Sequence, residues 1–259
     1  MVRAARPSTG DAGALRDAAW LRASLAAVWL VTAITVLHPY YREVGADYLG
    51  RLGLPAWMMW AADAGELALG IWVLVAPMTR LLAAVQIALV AGFTVILASL
   101  EPMLLVSPFG VLTKNVQLVV VAIVAWMLTR DGWSPRAERL LAGGMALVWI
   151  TEGLFPKILF QQAVELEMAP AAGLTFVPPW LLVGSLGAAQ LGSGIAVLVV
   201  PRRARVWLLL AQALALVVLP LVAGALEPRL WVHPFGPFSK NLPILAGTFL
   251  LYRRCSRSS

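Results

Sequence analysis

The chain has 259 residues, 61% of them hydrophobic and 13% charged, with a net charge of +7. Soluble domains carry about 25% charged residues, so these numbers argue against a soluble globular protein and for a polytopic helical membrane protein. The basic balance comes without any aromatic–basic nucleic-acid module and is read as membrane topology, and the single cysteine, Cys255, excludes an internal disulfide or a Cys-x-x-Cys relay.

Taken in order, residues 1–19 are polar, with Arg3, Arg6 and Arg16, and are expected to be a cytoplasmic tail. A first apolar helix is predicted over about 20–37; no small-residue cleavage site follows it, so it is read as retained rather than as a secretory signal. Residues 38–55 read as a mixed loop. A second helix runs from about 57 to 76, with Trp57 and Trp60 at an interfacial belt and Asp63 and Glu66 in its first half. Helices three and four follow over about 81–100 and 112–128. Residues 131–139, rich in turn formers, are the expected linker. A fifth helix from about 140 carries Glu152 and Lys157. A loop holding Glu165 and Glu167 comes next, then helices over about 180–200 and 206–226 and a short eighth run interrupted by Pro243.

The segment between helices three and four returns between helices seven and eight. E-P-M-L-L-V-S-P-F-G-V-L-T-K-N (Glu101–Asn115) and E-P-R-L-W-V-H-P-F-G-P-F-S-K-N (Glu227–Asn241) lie 126 positions apart and agree at 9 of 15 places. Val28-Trp29 matches Val148-Trp149, Gln86 matches Gln212, and the G-I-x-V-L-V run at Gly70 reappears at Gly194. The chain is therefore expected to be a duplication, 20–130 and 140–252, with a second short tail at 253–259. Fourteen of the 20 Lys and Arg residues fall on the side of the two ends. That bias places both termini in the cytoplasm and both motif copies outside. The expected fold is an all-α membrane protein of eight transmembrane helices, arranged as two parallel-repeat four-helix bundles.

Polar groups inside apolar segments are the candidate ligand-binding residues. Each motif copy supplies an acid, a lysine and an amide: Glu101, Lys114 and Asn115, and Glu227, Lys240 and Asn241. The expected pairs are Glu101–Lys114 and Glu227–Lys240, holding a bend that either turns the chain at the bilayer face or frames a polar ligand. Glu152 and Lys157 form a second candidate pair on either side of Pro156. Glu66, three residues after Asp63, has Gln190 as its counterpart, whereas Glu152 has Thr32. An asymmetric pocket between the halves, drawing on Glu66 and Glu152, is the expectation. No metal cluster is expected. His38 and His233 each precede a proline, which suits a plain turn residue better than a haem ligand. The small residues Gly184, Gly187, Gly192 and Gly194 of the sixth helix suit close helix packing.

With W-I-T-E-G-L-F-P-K-I-L-F and H-P-F-G-P-F-S-K-N-L-P, the second half resembles the DoxX-like family of small four-helix membrane proteins, and the first half looks like a diverged copy. The resemblance implies a doubled bundle and a function of loose definition: a membrane subunit or scaffold, in some relatives linked to quinone-coupled oxidation and to an oxidoreductase partner. It supplies no catalytic residues to carry over, so enzyme status stays open. The expected function is an inner-membrane subunit holding a quinone or lipid for a redox partner, with a small-solute transporter as the alternative.

Overall fold

The computed structural model describes residues 9–257, and among these it contains ten α-helices and no strand. They are α1 (Thr9–Thr35), α2 (Pro39–Arg51), α3 (Trp57–Val75), α4 (Arg80–Leu100), α5 (Asn115–Asp131), α6 (Pro135–Leu154), α7 (Ala163–Ala171), α8 (Pro179–Val199), α9 (Arg202–Leu226) and α10 (Asn241–Arg257).

Five stretches are long and apolar enough to cross a membrane: Ala12–Thr35, Trp57–Val75, Arg80–Leu100, Pro179–Val199 and Arg202–Leu226. A sixth is added if Pro135–Leu159 and Ala163–Ala171, bent by 87°, form one span. The other two of the eight expected helices, α5 and α10, have 17 residues each. At 1.5 Å per residue they reach about 25 Å, short of the ~30 Å hydrocarbon core. The motif that precedes each one takes up the chain that would have completed it.

The short helices are the interior ones. Val121, Val124 and Ala125 of α5 and Ile244, Leu250 and Leu251 of α10 are almost fully buried, packed with Leu21 and Leu25 of α1 and Leu141 and Met145 of α6. The long helices α3, α4, α8 and α9 lie outside and present Val75, Val95, Val199 and Trp207 outward. An apolar exterior around a close-packed interior is what lipid as solvent requires. The pairs α1–α3 and α6–α8 use the same device. A Cβ on Gly70 would lie 3.2 Å from the Leu30 nitrogen, and one on Gly194 3.0 Å from the Ile150 nitrogen. Glycine lets the two backbones approach to that distance.

Several sequence expectations need correction. The 1–19 tail is helical from Thr9; residues 1–8 lie outside the described part. The turn of α1 around Asp17 is tied down, because Asp17 accepts from Trp133 Nε1 at 2.9 Å and pairs with Arg253 at 3.1 Å. The 253–259 tail likewise continues α10 to Arg257, and Arg254 reaches Glu138 at 3.1 Å. These partners are over a hundred residues away, so no local pattern announces them. In the 131–139 linker, α6 starts at Pro135 rather than near residue 140. Gly132 at φ 73° ends α5, and Ser134 Oγ accepts from the Ala137 amide as an N-cap.

The loops at 38–55 and after Phe160 contain α2 and α7. His38 caps α2 by accepting from the Tyr40 amide at 3.2 Å, with Pro39 at the first helical position. α2 lies across the motif end of the bundle. There Tyr48 donates its hydroxyl to Glu101 Oε2 at 2.5 Å. Burial, and then this hydrogen bond, push the Tyr48 phenol from 10.0 up to about 12. The folded pKa is raised, so this contribution to stability is complete below pH 10 and is lost as pH rises towards 12. Tyr48→Phe is expected to remove that part of the alkaline fall in unfolding midpoint. An unchanged alkaline limb in the variant would refute the assignment.

Candidate functional site

Both motif copies sit at one end of the bundle and touch each other. Each begins where a long helix stops at its glutamate, continues through a short 3-10 turn, and reverses at Pro-Phe-Gly. The reversal needs positive φ: 67° at Gly110, 54° at Gly236, and 65° even at Phe109. The lysines then point across. Lys114 Nζ donates to the Pro237 carbonyl at 3.0 Å, and Lys240 Nζ donates to the Val111 carbonyl at 2.7 Å. Val111 and Pro237 are themselves 126 positions apart, as the lysines are, so the two bonds are equivalent. Phe109 packs edge-on against Phe238 beside them.

The expected pairs Glu101–Lys114 and Glu227–Lys240 therefore do not form. Glu101 remains at the surface with Tyr48 and Arg51, and Glu227 accepts from the Arg229 amide. Each glutamate ends its helix at the rim, whereas Lys114 follows the chain back into the interior and Lys240 is half-buried. Lys114 and Asn115 are 6% exposed and Asn241 is 7% exposed. The lysines take as electrostatic neighbours acids of the opposite half. Lys114 faces Glu152, and Lys240 faces Glu66. Thr113 Oγ1 also donates to Glu152 Oε1 at 2.6 Å, which ties the first motif to α6.

The expected Glu152–Lys157 pair is replaced as well. Lys157 Nζ lies 2.8 Å from Glu165 Oε1, with both side chains under 10% exposed, and touches Glu152 only through its carbonyl at 3.4 Å. Past Leu154 the helix widens into one broad turn, Phe155–Leu159, around Pro156, and the chain then bends into α7. That bend carries Glu165 over the lysine. Sequence reading placed Glu165 in a loop and missed it; the available signal was a proline beside a lysine in an apolar run with an acid shortly after. Glu66 and Glu152 do not share a pocket. Glu66 lies with Asp63, whose carboxylate accepts from Tyr41 at 2.6 Å. His38 and His233 each accept a backbone N–H two residues on, as turn residues do.

Glu152, Lys157 and Glu165 line a cavity of about 340 Å³ bounded by α6, α7, α8 and α9, with Phe109, Lys114, Phe238 and Asn241 of the motifs at its inner end. Apart from Gln190 and the Trp149 indole N–H, the rest of its lining is apolar. Its rim includes the exposed side chains of Leu174, Leu186 and Val222. Four buried atoms of lining residues have no hydrogen-bond partner within the described protein: Trp149 Nε1, Glu165 Oε2, Gln190 Oε1 and Asn241 Oδ1. Ligand pockets have this make-up, a volume of about 300–1,000 Å³ with apolar walls and a few convergent polar groups. Of the candidate residues, Lys114, Glu152, Lys157 and Asn241 meet at this cavity. Glu66, Glu101, Asn115, Glu227 and Lys240 are not part of its lining.

The chain was also compared with known proteins. No curated protein and no solved structure matches it. A family model described as the DoxX-like family matches twice, over residues 26–123 and again over 146–249. The two matches coincide with the halves related by the motif repeat, and together they cover most of the sequence: the chain belongs to the DoxX-like family and carries its unit in two copies.

Proposed function

We propose that this multi-pass membrane protein holds a lipophilic small molecule in the cavity of its second half, serving as a binding subunit or scaffold. The observation that carries this reading is the cavity of about 340 Å³, whose walls are mostly apolar and whose lining includes four buried polar atoms without partners among the described residues. An apolar rim suits a guest that arrives from the lipid, which favours a lipophile over a small polar solute moving through a channel. A lipid chain fits such walls, and so does the tail of a quinone. An oxidoreductase that exchanges such a molecule with the protein is the partner this reading allows.

In the same reading, eight helices cross or enter the bilayer as two parallel four-helix units. The equivalent lysine bonds between the motifs support a near-twofold axis along the membrane normal. The short helices α5 and α10 reach the second face through their motifs. The excess of arginine at the end that carries both termini supports a cytoplasmic placement of that end, in a bacterial inner membrane.

Mass spectrometry of organic extracts from the purified protein tests the reading. A lipophile is expected near one per chain in the wild type and strongly depleted in Ala215→Trp, which fills the cavity from α9. Equal lipophile content in both proteins, with Ala215→Trp folded, would remove the cavity as the binding site.

A further inference from the structure

The halves differ at two places that decide what the cavity receives. In the first half, Trp29 Nε1 donates to Gln86 Oε1 at 3.1 Å, and Asn115 Nδ2 donates to Thr94 Oγ1 at 2.8 Å. Both bonds close inside the protein. The gap beside Trp29 and Gln86 measures about 10 Å³, room for no more than a water.

The second half keeps the same tryptophan, glutamine and asparagine as Trp149, Gln212 and Asn241 but closes neither bond. Gln212 turns instead to α8, donating to the Ser193 carbonyl at 3.2 Å and lying 3.4 Å from its hydroxyl. By the Gly70–Gly194 match, the place of Ser193 is held in the first half by Leu69, which offers no hydroxyl. Pro220 stands where Thr94 does, so the amide nitrogen of Asn241 has no such hydroxyl to donate to, and its Oδ1 is separately buried without a partner. Pro220 acts a second time. It has no N–H for the Leu216 carbonyl one turn earlier in α9, and Leu216 and Pro220 both line the cavity.

The polar inventory is then specific. Trp149 Nε1 can only donate, Glu165 Oε2 and the Leu216 carbonyl can only accept, and the amides of Gln190 and Asn241 can present either atom. Lys114, Lys157, Glu152 and Glu165 also line the cavity, two charges of each sign. A charged guest would add an unbalanced buried charge, which is costly. A hydroxyl is the smallest neutral group that both gives and takes a hydrogen bond. We propose that the cavity selects an amphiphile with a neutral, hydroxyl-bearing head, bound by Trp149, Asn241 and Gln190 on one side and by Glu165 and the Leu216 carbonyl on the other, with its tail at the apolar rim. This rests on the cavity being a lipophile site at all. An ester or an oxidised quinone only accepts, and would leave the fixed acceptors unmet.

Four probes that share an oleyl chain test the proposal on the full chain in detergent, with affinities read by native mass spectrometry: 1-monooleoylglycerol, methyl oleate, oleate and oleylamine. 1-Monooleoylglycerol is expected to bind at least about tenfold tighter than the other three, the worth of about one net hydrogen bond. Pro220→Thr, which restores the first-half partner for Asn241 and returns an N–H to α9, is expected to erase that preference without lowering the unfolding midpoint. Trp149→Phe, which removes only the indole N–H and part of the ring, is expected to weaken 1-monooleoylglycerol several-fold, and to weaken methyl oleate as well, since an ester carbonyl can accept from the same N–H. If methyl oleate, oleate or oleylamine binds as tightly as 1-monooleoylglycerol, or if both variants leave its affinity intact, the head-group assignment is overturned while the cavity remains a lipophile site. If the wild type binds none of the four, the cavity reading fails and the assignment goes with it.

Discussion

Lys157→Met is expected to destabilise the protein by about 3–5 kcal/mol, the usual cost of removing one partner of a buried ion pair. Lys157 is 5% exposed and its ammonium lies 2.8 Å from Glu165, whose other oxygen already has no partner. Removing the lysine strands a carboxylate in an apolar cavity wall and loosens the bend that α7 makes against α6. The diagnostic experiment is a double-mutant cycle. Adding Glu165→Leu to Lys157→Met removes the stranded charge, and most of the lost stability is expected to return, because replacing both members of a buried pair by apolar groups is often near neutral. Unfolding midpoints in detergent for the two single variants and the double variant read this directly. Losses that simply add would mean the pair is not the relevant contact.

Gly187→Val is expected to cost about 3 kcal/mol or more through overpacking. A Cβ at Gly187 would come within 2.6 Å of the Lys157 Cβ and 2.7 Å of the Gly153 carbonyl, so α6 and α8 must move apart. The same helix supplies the control. Nothing lies within 4 Å of a Cβ at Gly192, so Gly192→Ala is expected to be neutral or to stabilise by up to about 1 kcal/mol through helix propensity. Ligand binding should fall with Gly187→Val and hold with Gly192→Ala, because only the first displaces the backbone that carries Lys157. Equal midpoints for the two variants would show that the close approach of α6 and α8 does not matter.

These two sites also mark the limits of sequence reading. The all-helical membrane character was legible because long apolar runs and scarce charge leave few other structures. The duplication was legible because nine identities in fifteen positions survive at the motif. The packing glycines of α8 were legible as a group, but which ones touch was not, since Gly187 and Gly192 look alike until α6 is laid against them. The partners of the charges were not legible. Sequence proximity suggested Glu101–Lys114 and Glu152–Lys157. The helix termini left the first glutamate at the rim, and the Pro156 bend brought Glu165 in ahead of Glu152. The helices α2 and α7 hid for a related reason: lying across the bundle end, they bury only a few residues each and show no long apolar run. The exchange of Thr94 for Pro220 is visible in an alignment of the halves, yet it acquires meaning only once Asn115 is seen to need a hydroxyl and Asn241 to lack one.

The crossed lysines couple the two copies. Since each motif finishes its bonding on the backbone of the other copy, neither half completes these bonds alone, and a change in one motif is felt in both. Carrying both copies in one polypeptide lets the halves differ, as Thr94 and Pro220 do. The space beside Trp29 and Gln86 in the first half is about 10 Å³, while the cavity of the second half is about 340 Å³.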